Sequence, residues 1–210
     1  MALALFALLI TDGWLIYKRS RYNSEVARLR DGMTASQRQQ ADVLVASEEN
    51  KLRVTMELIR RQIAGDKKLH LAISVDSGMM YLGREGAILR EIPAQLGEEK
   101  RVGTLPDTVV MALPRGTRTV ERILGPRQEW EVPKWVFTDR GLAVPAERSI
   151  PGALGPTALM LSGGTVVYTL PSAGPLNDSA YVLPGSVRVR AADLQAVLPN
   201  LSPGTTVYFY

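Results

Sequence analysis

The sequence has no cysteine and a single histidine, His70, among its 210 residues. The missing thiol excludes disulfide bonds, thiolate nucleophiles and metal sites that depend on sulfur ligands. One imidazole cannot build a histidine-rich metal site, so any histidine-based proton transfer would have to use His70 alone. Aromatic residues are also scarce, at 6%, which disfavours a stacking surface for single-stranded nucleic acid. We therefore predict no metal, no cofactor and no nucleic-acid partner.

Residues 1–17 form a nearly continuous apolar run that ends in Trp14 and Tyr17 and is followed by basic residues. An aromatic and basic border of this kind is typical of a membrane helix. The run is shorter than the roughly 20 residues that a bilayer core requires, and it contains Asp12. A signal peptide is the first alternative, although a basic n-region and a small-residue cleavage site are missing. A buried soluble helix is the second. We predict a transmembrane anchor over residues 1–17.

The excess positive charge is confined to the segment after this run. Residues 18–68 hold 12 Lys and Arg against 7 Asp and Glu, whereas residues 69–210 hold 13 of each. A basic segment beside a membrane indicates contact with lipid headgroups or with a partner. A solvated helix with ordinary charges is an equal alternative. Taken alone, the positive-inside rule would keep these residues in the cytoplasm.

Residues 22–64 contain no proline and one glycine, and their apolar residues recur at helical spacing. This pattern predicts one long helix, and we assign residues 18–66 to a helical stalk. A helix of this length needs a partner along its apolar stripe. We predict that Leu44, Leu52 and Ile59 pack against another subunit, and a weak coiled coil is the alternative.

From residue 69 the pattern changes to the period of two that is typical of strands. Strands are predicted over residues 69–75, 79–83 and 87–93, and His70 is interpreted as an edge or surface histidine at the start of the first. At the C-terminal end, an alternating strand over residues 187–190 leads into a short helix that opens near Asp193. A β-branched and aromatic strand over residues 205–210 closes the chain. We assign residues 67–210 to one mainly β domain.

Several segments of this domain, in their order, resemble the L,D-transpeptidase (YkuD-like) family. They are Leu113–Thr117, Pro133–Val136, Arg148–Leu159 and the C-terminal strand, helix and strand. The family motif before that helix is Ser-His-Gly-Cys-Ile-Arg. The resemblance covers residues 69–210. It implies a β-sandwich with a short helix between the last two strands, and export of the domain to the periplasm.

In that family a cysteine thiolate, activated by a histidine, attacks a carbonyl of a peptidoglycan stem peptide. At the matching positions this sequence has Ser186 for the cysteine, Tyr168 for the histidine, a retained Gly185 and a retained Arg188. A serine hydroxyl needs a general base, and a neutral tyrosine is a poor one. The resemblance therefore implies a vestigial site in a pseudoenzyme.

These observations predict a non-catalytic scaffold or accessory subunit of a large inner-membrane complex, of the respiratory or photosynthetic kind. It would be single-pass, with its globular domain in the periplasm and with the lipid bilayer and other subunits as partners. One alternative is a peptidoglycan-binding envelope protein, which requires an open groove beside Gly185 and Ser186. The less favoured alternative is a serine-based transpeptidase, which requires a basic group within about 3 Å of the Ser186 hydroxyl.

Overall fold

The computed structural model describes residues 32–103 and 108–210. The chain divides into two compact units, Met1–Val54 and Thr55–Tyr210. The predicted anchor over residues 1–17, and the first part of the predicted stalk, lie outside the described residues. Among the residues that are described, no helix combines the length and the apolar character needed to cross a bilayer.

The first described element is a 31-residue helix, α1 (Ala35–Gly65). It begins with a capping box, because the Gln37 amide donates to Thr34 Oγ1 (3.3 Å) and the Thr34 amide donates to Gln37 Oε1 (3.0 Å). These reciprocal bonds satisfy two backbone donors that a helix start leaves free. The predicted long helix is confirmed over this range.

The rest of the chain is mainly β, as predicted. The described residues after α1 form twelve strands, which are β1 (His70–Ser74), β2 (Met79–Arg84), β3 (Ala87–Leu96), β4 (Lys100–Val102), β5 (Val109–Met111), β6 (Gly116–Leu124), β7 (Glu129–Glu131), β8 (Ser149–Pro151), β9 (Ala158–Leu161), β10 (Val166–Thr169), β11 (Val187–Val189) and β12 (Thr206–Phe209). Two short helices, α2 (Lys134–Asp139) and α3 (Ala191–Val197), complete it, with a 3₁₀ turn over Leu198–Asn200. The predicted helix between the last two strands is confirmed as α3.

The strands that were predicted to form a sandwich close into a barrel of eight strands, in the order β1-β12-β6-β9-β10-β11-β3-β2. Closure comes from two long strands. β3 pairs with β2 up to Pro93 and with β11 from Ala94 onward. β6 pairs with β12 up to Thr119 and with β9 from Val120 onward, where the register shifts. Each of them therefore passes from one predicted layer to the other, so both edges of the sandwich are joined.

Two neighbouring pairs in this barrel are parallel, β1 with β12 and β10 with β11. Parallel neighbours cannot be joined by a tight hairpin, so the chain between them must cross the outside of the sheet. For β10 and β11 the crossing chain is residues 170–186, which contain no regular helix. We call it the covering segment, because it lies over the outer face of these two strands.

Two apolar clusters hold this arrangement. The first fills the barrel and contains the inward residues of every barrel strand, together with Leu194 and Val197 of α3. The second lies outside β10 and includes Val136 and Phe137 of α2, and Leu176 and Leu183 of the covering segment. The covering segment is thus anchored to the core through Leu176 and Leu183, although residues 172–174 and 179–180 are exposed.

A third cluster lies at the C-terminal end of α1. Ile59 is 5% exposed and packs against Ala72 and Tyr208 of the barrel. Its neighbour in sequence, Leu58, is 60% exposed. The Tyr208 hydroxyl donates to Asp66 Oδ2 (2.9 Å) just after the helix. Burial and this carboxylate raise the pKa of Tyr208 to about 12. The last turns of α1 are therefore fixed to the barrel.

The interpretation of His70 as an edge or surface histidine is wrong, because His70 is only 1% exposed. Its Nδ1 lies 3.0 Å from the Lys68 carbonyl oxygen and 3.6 Å from Asp66 Oδ2, and its ring meets Tyr208 edge to face. The space for the ring comes from Gly83, its register partner in β2. A Cβ at Gly83 would lie 2.7 Å from His70 Nε2. The histidine is thus enclosed by a glycine across the strand pair.

Candidate functional site

Two of the predicted site positions lie on the outer face of β10 and β11. Val167, Val187 and Val189 point into the barrel, and side chains alternate along a strand. Tyr168 and Arg188 therefore point outward, and they are register partners in the parallel pair. The structure thus brings together two of the positions that the sequence predicted as a site.

Ser186, at the nucleophile position, is 2% exposed. Backbone surrounds it closely: its amide donates to the Leu183 carbonyl (3.1 Å) and its carbonyl accepts from the Gly97 amide (2.8 Å). Within the described ranges, no hydrogen bond joins its hydroxyl to an imidazole, an amine or a carboxylate. The chain's imidazole, His70, belongs to the cluster at the end of α1 instead.

Two glycines let the backbone close in around this serine. Gly185 has φ +68, and a Cβ built there would lie 3.1 Å from the Ala112 carbonyl oxygen. A Cβ at Gly97 would lie only 2.0 Å from the Leu183 carbonyl oxygen. Side chains at either glycine would force these segments apart. Gly185 therefore allows Ala112, which follows β5, to lie close to the backbone next to Ser186.

Tyr168, at the position of the general base, is fully buried. Its hydroxyl oxygen accepts a hydrogen bond from the Leu183 amide (2.9 Å). Burial raises the pKa of Tyr168 above its ordinary value, and the neighbouring Leu183 amide and Arg188 oppose that rise only in part. The hydroxyl is therefore protonated at neutral pH, and its role is to hold the covering segment.

Arg188 is 4% exposed and makes four hydrogen bonds. Its Nε donates to Gln95 Oε1 (2.8 Å) in the neighbouring strand β3. Its two terminal nitrogens donate to backbone carbonyls of the covering segment, those of Asp178 (2.7 Å), Tyr181 (2.8 Å) and Ser179 (2.5 Å). The arginine therefore fastens the covering segment to the barrel through its backbone.

A second group of polar side chains holds the same segment from the side of α2. The Tyr181 hydroxyl donates to Asp139 Oδ2 (2.9 Å), and Lys100 pairs with the other oxygen of this carboxylate. Arg140 lies 4.7 Å above the Tyr181 ring and pairs with Asp178 (2.8 Å). Burial and the Asp139 carboxylate raise the pKa of Tyr181 well above its usual range. Residues 178–181 of the covering segment are thus held both by Arg188 of β11 and by Asp139 and Arg140 at the end of α2.

Together these contacts cover the outward-facing side chains of Tyr168 and Arg188 with the chain's own backbone. The arrangement offers hydrogen-bond donors to a peptide backbone, but the backbone they hold belongs to the chain itself. Among the described residues, no group of acidic or histidine side chains is placed to bind a metal ion.

The sequence analysis did not identify Gln95, Asp139, Arg140 or Tyr181, which complete this site. Their contacts join residues 39 to 93 positions apart for Lys100–Asp139, Tyr181–Asp139 and Arg188–Gln95, so no local pattern reports them. The one local signal is the alternation of Val187 and Val189 with Arg188, which marks the arginine as facing away from the barrel interior.

The predicted partner-packing residues of the stalk differ in exposure. Leu44 is 64% and Leu52 46% exposed, whereas Ile59 is buried by the chain's own barrel. The side chain of Ile59 is therefore already packed within the chain, and only the first two present apolar surface.

The sequence matches no family model and no curated protein. The structural neighbours of the chain are L,D-transpeptidase domains. One is an L,D-transpeptidase of Xylanimonas cellulosilytica, at 20% identity and a TM-score of 0.48, with 69% of this chain and 61% of that chain covered. Another is L,D-transpeptidase 1 of Mycobacterium tuberculosis, at 17% identity and a TM-score of 0.43, with 68% and 61% covered. A third is the catalytic domain of the Enterococcus faecium L,D-transpeptidase acylated by ertapenem, at 12% identity and a TM-score of 0.46, with 69% and 98% covered. The chain spans less than two thirds of the first two.

Proposed function

We propose that the barrel is a non-catalytic L,D-transpeptidase-like domain of a cell-envelope protein, acting by binding or scaffolding rather than turnover. The observation that carries this proposal is the closure of the vestigial site. Ser186 is 2% exposed, and the hydroxyl at the base position is occupied by the Leu183 amide. Ser186 is the last residue of the covering segment, and a peptide carbonyl could reach it only after the backbone of Leu183 and Gly97 had moved away from it.

The same closure counts against both alternatives from the sequence. A peptidoglycan binder that used the inherited groove would need that groove open beside Gly185 and Ser186. A serine transpeptidase would need a base in hydrogen-bond reach of the Ser186 hydroxyl, whereas Tyr168 is protonated and engaged elsewhere. Neither condition is met by the contacts described above.

A turnover assay tests the proposal directly. We expect the full-length protein to form no cross-linked or hydrolysed product from disaccharide-tetrapeptide, beyond the level of a Ser186→Ala variant. The physical reason is that an unactivated, enclosed serine lacks the factor of about 10² to 10⁴ that a positioned general base supplies. Product formation that disappears in Ser186→Ala, measured by mass spectrometry of the peptide fragments, would contradict the proposal.

As a finer proposal, the protein is a single-pass, inner-membrane scaffold or accessory subunit, with its barrel in the periplasm. The exposed apolar side chains of α1 support this version. Leu44 and Leu52 are exposed apolar residues in a helix that is otherwise mostly polar. A long helix in a protein gains most of its stability by packing an apolar face against a partner. Other subunits of a membrane complex are the proposed partners of this surface.

Leu52→Arg is expected to release the protein from such a complex. The substitution puts a charge into an apolar contact, where an unpaired charge is strongly unfavourable. The measurement is co-purification from native membranes in mild detergent, with mass spectrometry of the recovered subunits. Gln39→Arg, which adds the same charge at an exposed polar position of α1, is the matched control. Recovery of the same partners by both variants would count against the stalk as a packing surface.

A further inference from the structure

Beside the closed site there is a cavity that shares only Arg188 with the predicted site positions. It has a volume of about 350 Å³ and lies where β10 and β11 end, next to β3. Ser186, Gly185 and Tyr168 do not line it. Its apolar wall consists of Pro93, Ala94, Leu170, Val189 and Ala191. A volume of this order is in the range of small-molecule sites, which combine apolar walls with a few polar groups.

The polar part of the cavity is positively charged. Arg188 forms part of its lining, and the hydrogen-bond partners of this buried guanidinium are an amide and three carbonyls, all neutral. Among the described side chains, no carboxylate forms an ion pair with Arg188. A buried charge without a counter-ion keeps its field in the low-dielectric surroundings.

A second arginine strengthens this field at the rim. Arg190 lines the cavity, and its Nε donates to Asp193 Oδ2 (2.6 Å). Arg90 approaches the other oxygen of the same carboxylate at 3.6 Å. Two guanidinium groups therefore share one acidic partner, which leaves the rim with an excess positive charge in addition to that of Arg188. The Arg190 side chain is 75% exposed, so it can turn toward a ligand.

We propose that this cavity binds a small organic anion, a carboxylate on a short apolar stem. The carboxylate would lie against Arg190 within the field of Arg188, where charge-assisted hydrogen bonds to a planar guanidinium are strongest. The stem would lie against Leu170 and Val189, and this contact would remove apolar surface of the ligand from water. This proposal does not depend on the absence of turnover, because the cavity and the position of Ser186 do not share lining residues.

Hexanoate is the probe, with hexanamide as its neutral counterpart of nearly the same shape. With the full-length protein, titration followed by amide NMR shifts should show saturable binding of hexanoate. The shifts should be centred on residues 93–95, 170 and 188–191. Hexanamide should bind at least about tenfold more weakly, because it carries no charge for the two guanidinium groups to attract.

Two variants and one control locate the site. Arg190→Gln should weaken hexanoate binding about threefold to fivefold, because the charged partner that it removes is exposed to solvent. Leu170→Trp should abolish it by filling the cavity from a position that is 41% exposed in the native fold. Arg127→Gln removes an exposed arginine that does not line the cavity and should leave the affinity unchanged. Circular dichroism confirms that each variant is folded.

Three results would overturn the proposal. They are equal affinities for hexanoate and hexanamide, equal losses in Arg190→Gln and Arg127→Gln, or shifts centred away from the cavity. None of them would bear on turnover at Ser186, which the disaccharide-tetrapeptide assay measures separately.

Discussion

A cysteine introduced by Ser186→Cys is expected to react with a thiol reagent at least about a hundredfold more slowly than an exposed cysteine in the same segment. The sequence contains no cysteine, so the introduced thiol is the only one in the chain. Position 186 is 2% exposed, and the backbone of Leu183 and Gly97 is hydrogen-bonded around it. Reaction then requires a local opening, and an opening that costs about 3 kcal/mol slows the rate by roughly two powers of ten.

The matched control is Ser172→Cys, which places the thiol at an exposed position of the covering segment. Both variants should react at the same rate once the protein is unfolded in urea, since the protection belongs to the fold. Equal rates in the native state would mean that the covering segment is open in solution. In that case the peptidoglycan-binding and serine-transpeptidase alternatives would regain support.

The strands and the helix α3 could be predicted because each depends on a short-range pattern, whereas the site positions remain a prediction. Alternation over residues 187–190 reports which side chains face the barrel, and the acidic residue Asp193 marks the start of α3. The family resemblance then gives Ser186 and Tyr168 their places. The closure of the sandwich into a barrel could not be predicted from such patterns, because it depends on how far β3 and β6 extend past their first partners.

What the sequence could not predict is which surfaces are covered. Leu58 and Ile59 are neighbouring aliphatic residues on one helix, yet one is 60% and the other 5% exposed. The difference depends on where the barrel meets the helix. His70 is buried because a glycine lies opposite it in another strand. The closed site depends in the same way on partners that are distant in the sequence, such as Gln95 for Arg188.

The second large effect is expected at Arg188, which joins the covering segment to the barrel. Arg188→Met keeps much of the side-chain volume and removes four hydrogen bonds, three of them to carbonyls of the segment. A fully buried carbonyl left without a donor costs about 1–3 kcal/mol, and these three are only partly buried. Because part of the segment can turn toward water, we expect a loss of roughly 2–4 kcal/mol in the free energy of unfolding. Urea unfolding measures it as a lower midpoint at an unchanged slope.

Arg190→Met is the matched control, since it removes an arginine two residues away whose side chain is 75% exposed and has one ion pair. An exposed pair of this kind contributes less than about 1 kcal/mol. Arg188→Met combined with Ser186→Cys tests the role of the arginine more sharply. If Arg188 holds the cover in place, the thiol at position 186 becomes reactive under conditions where the barrel is still folded. If stability falls while the thiol stays protected, the arginine stabilises the barrel without closing the site, and Tyr168 and Tyr181 would then be the residues that hold the segment.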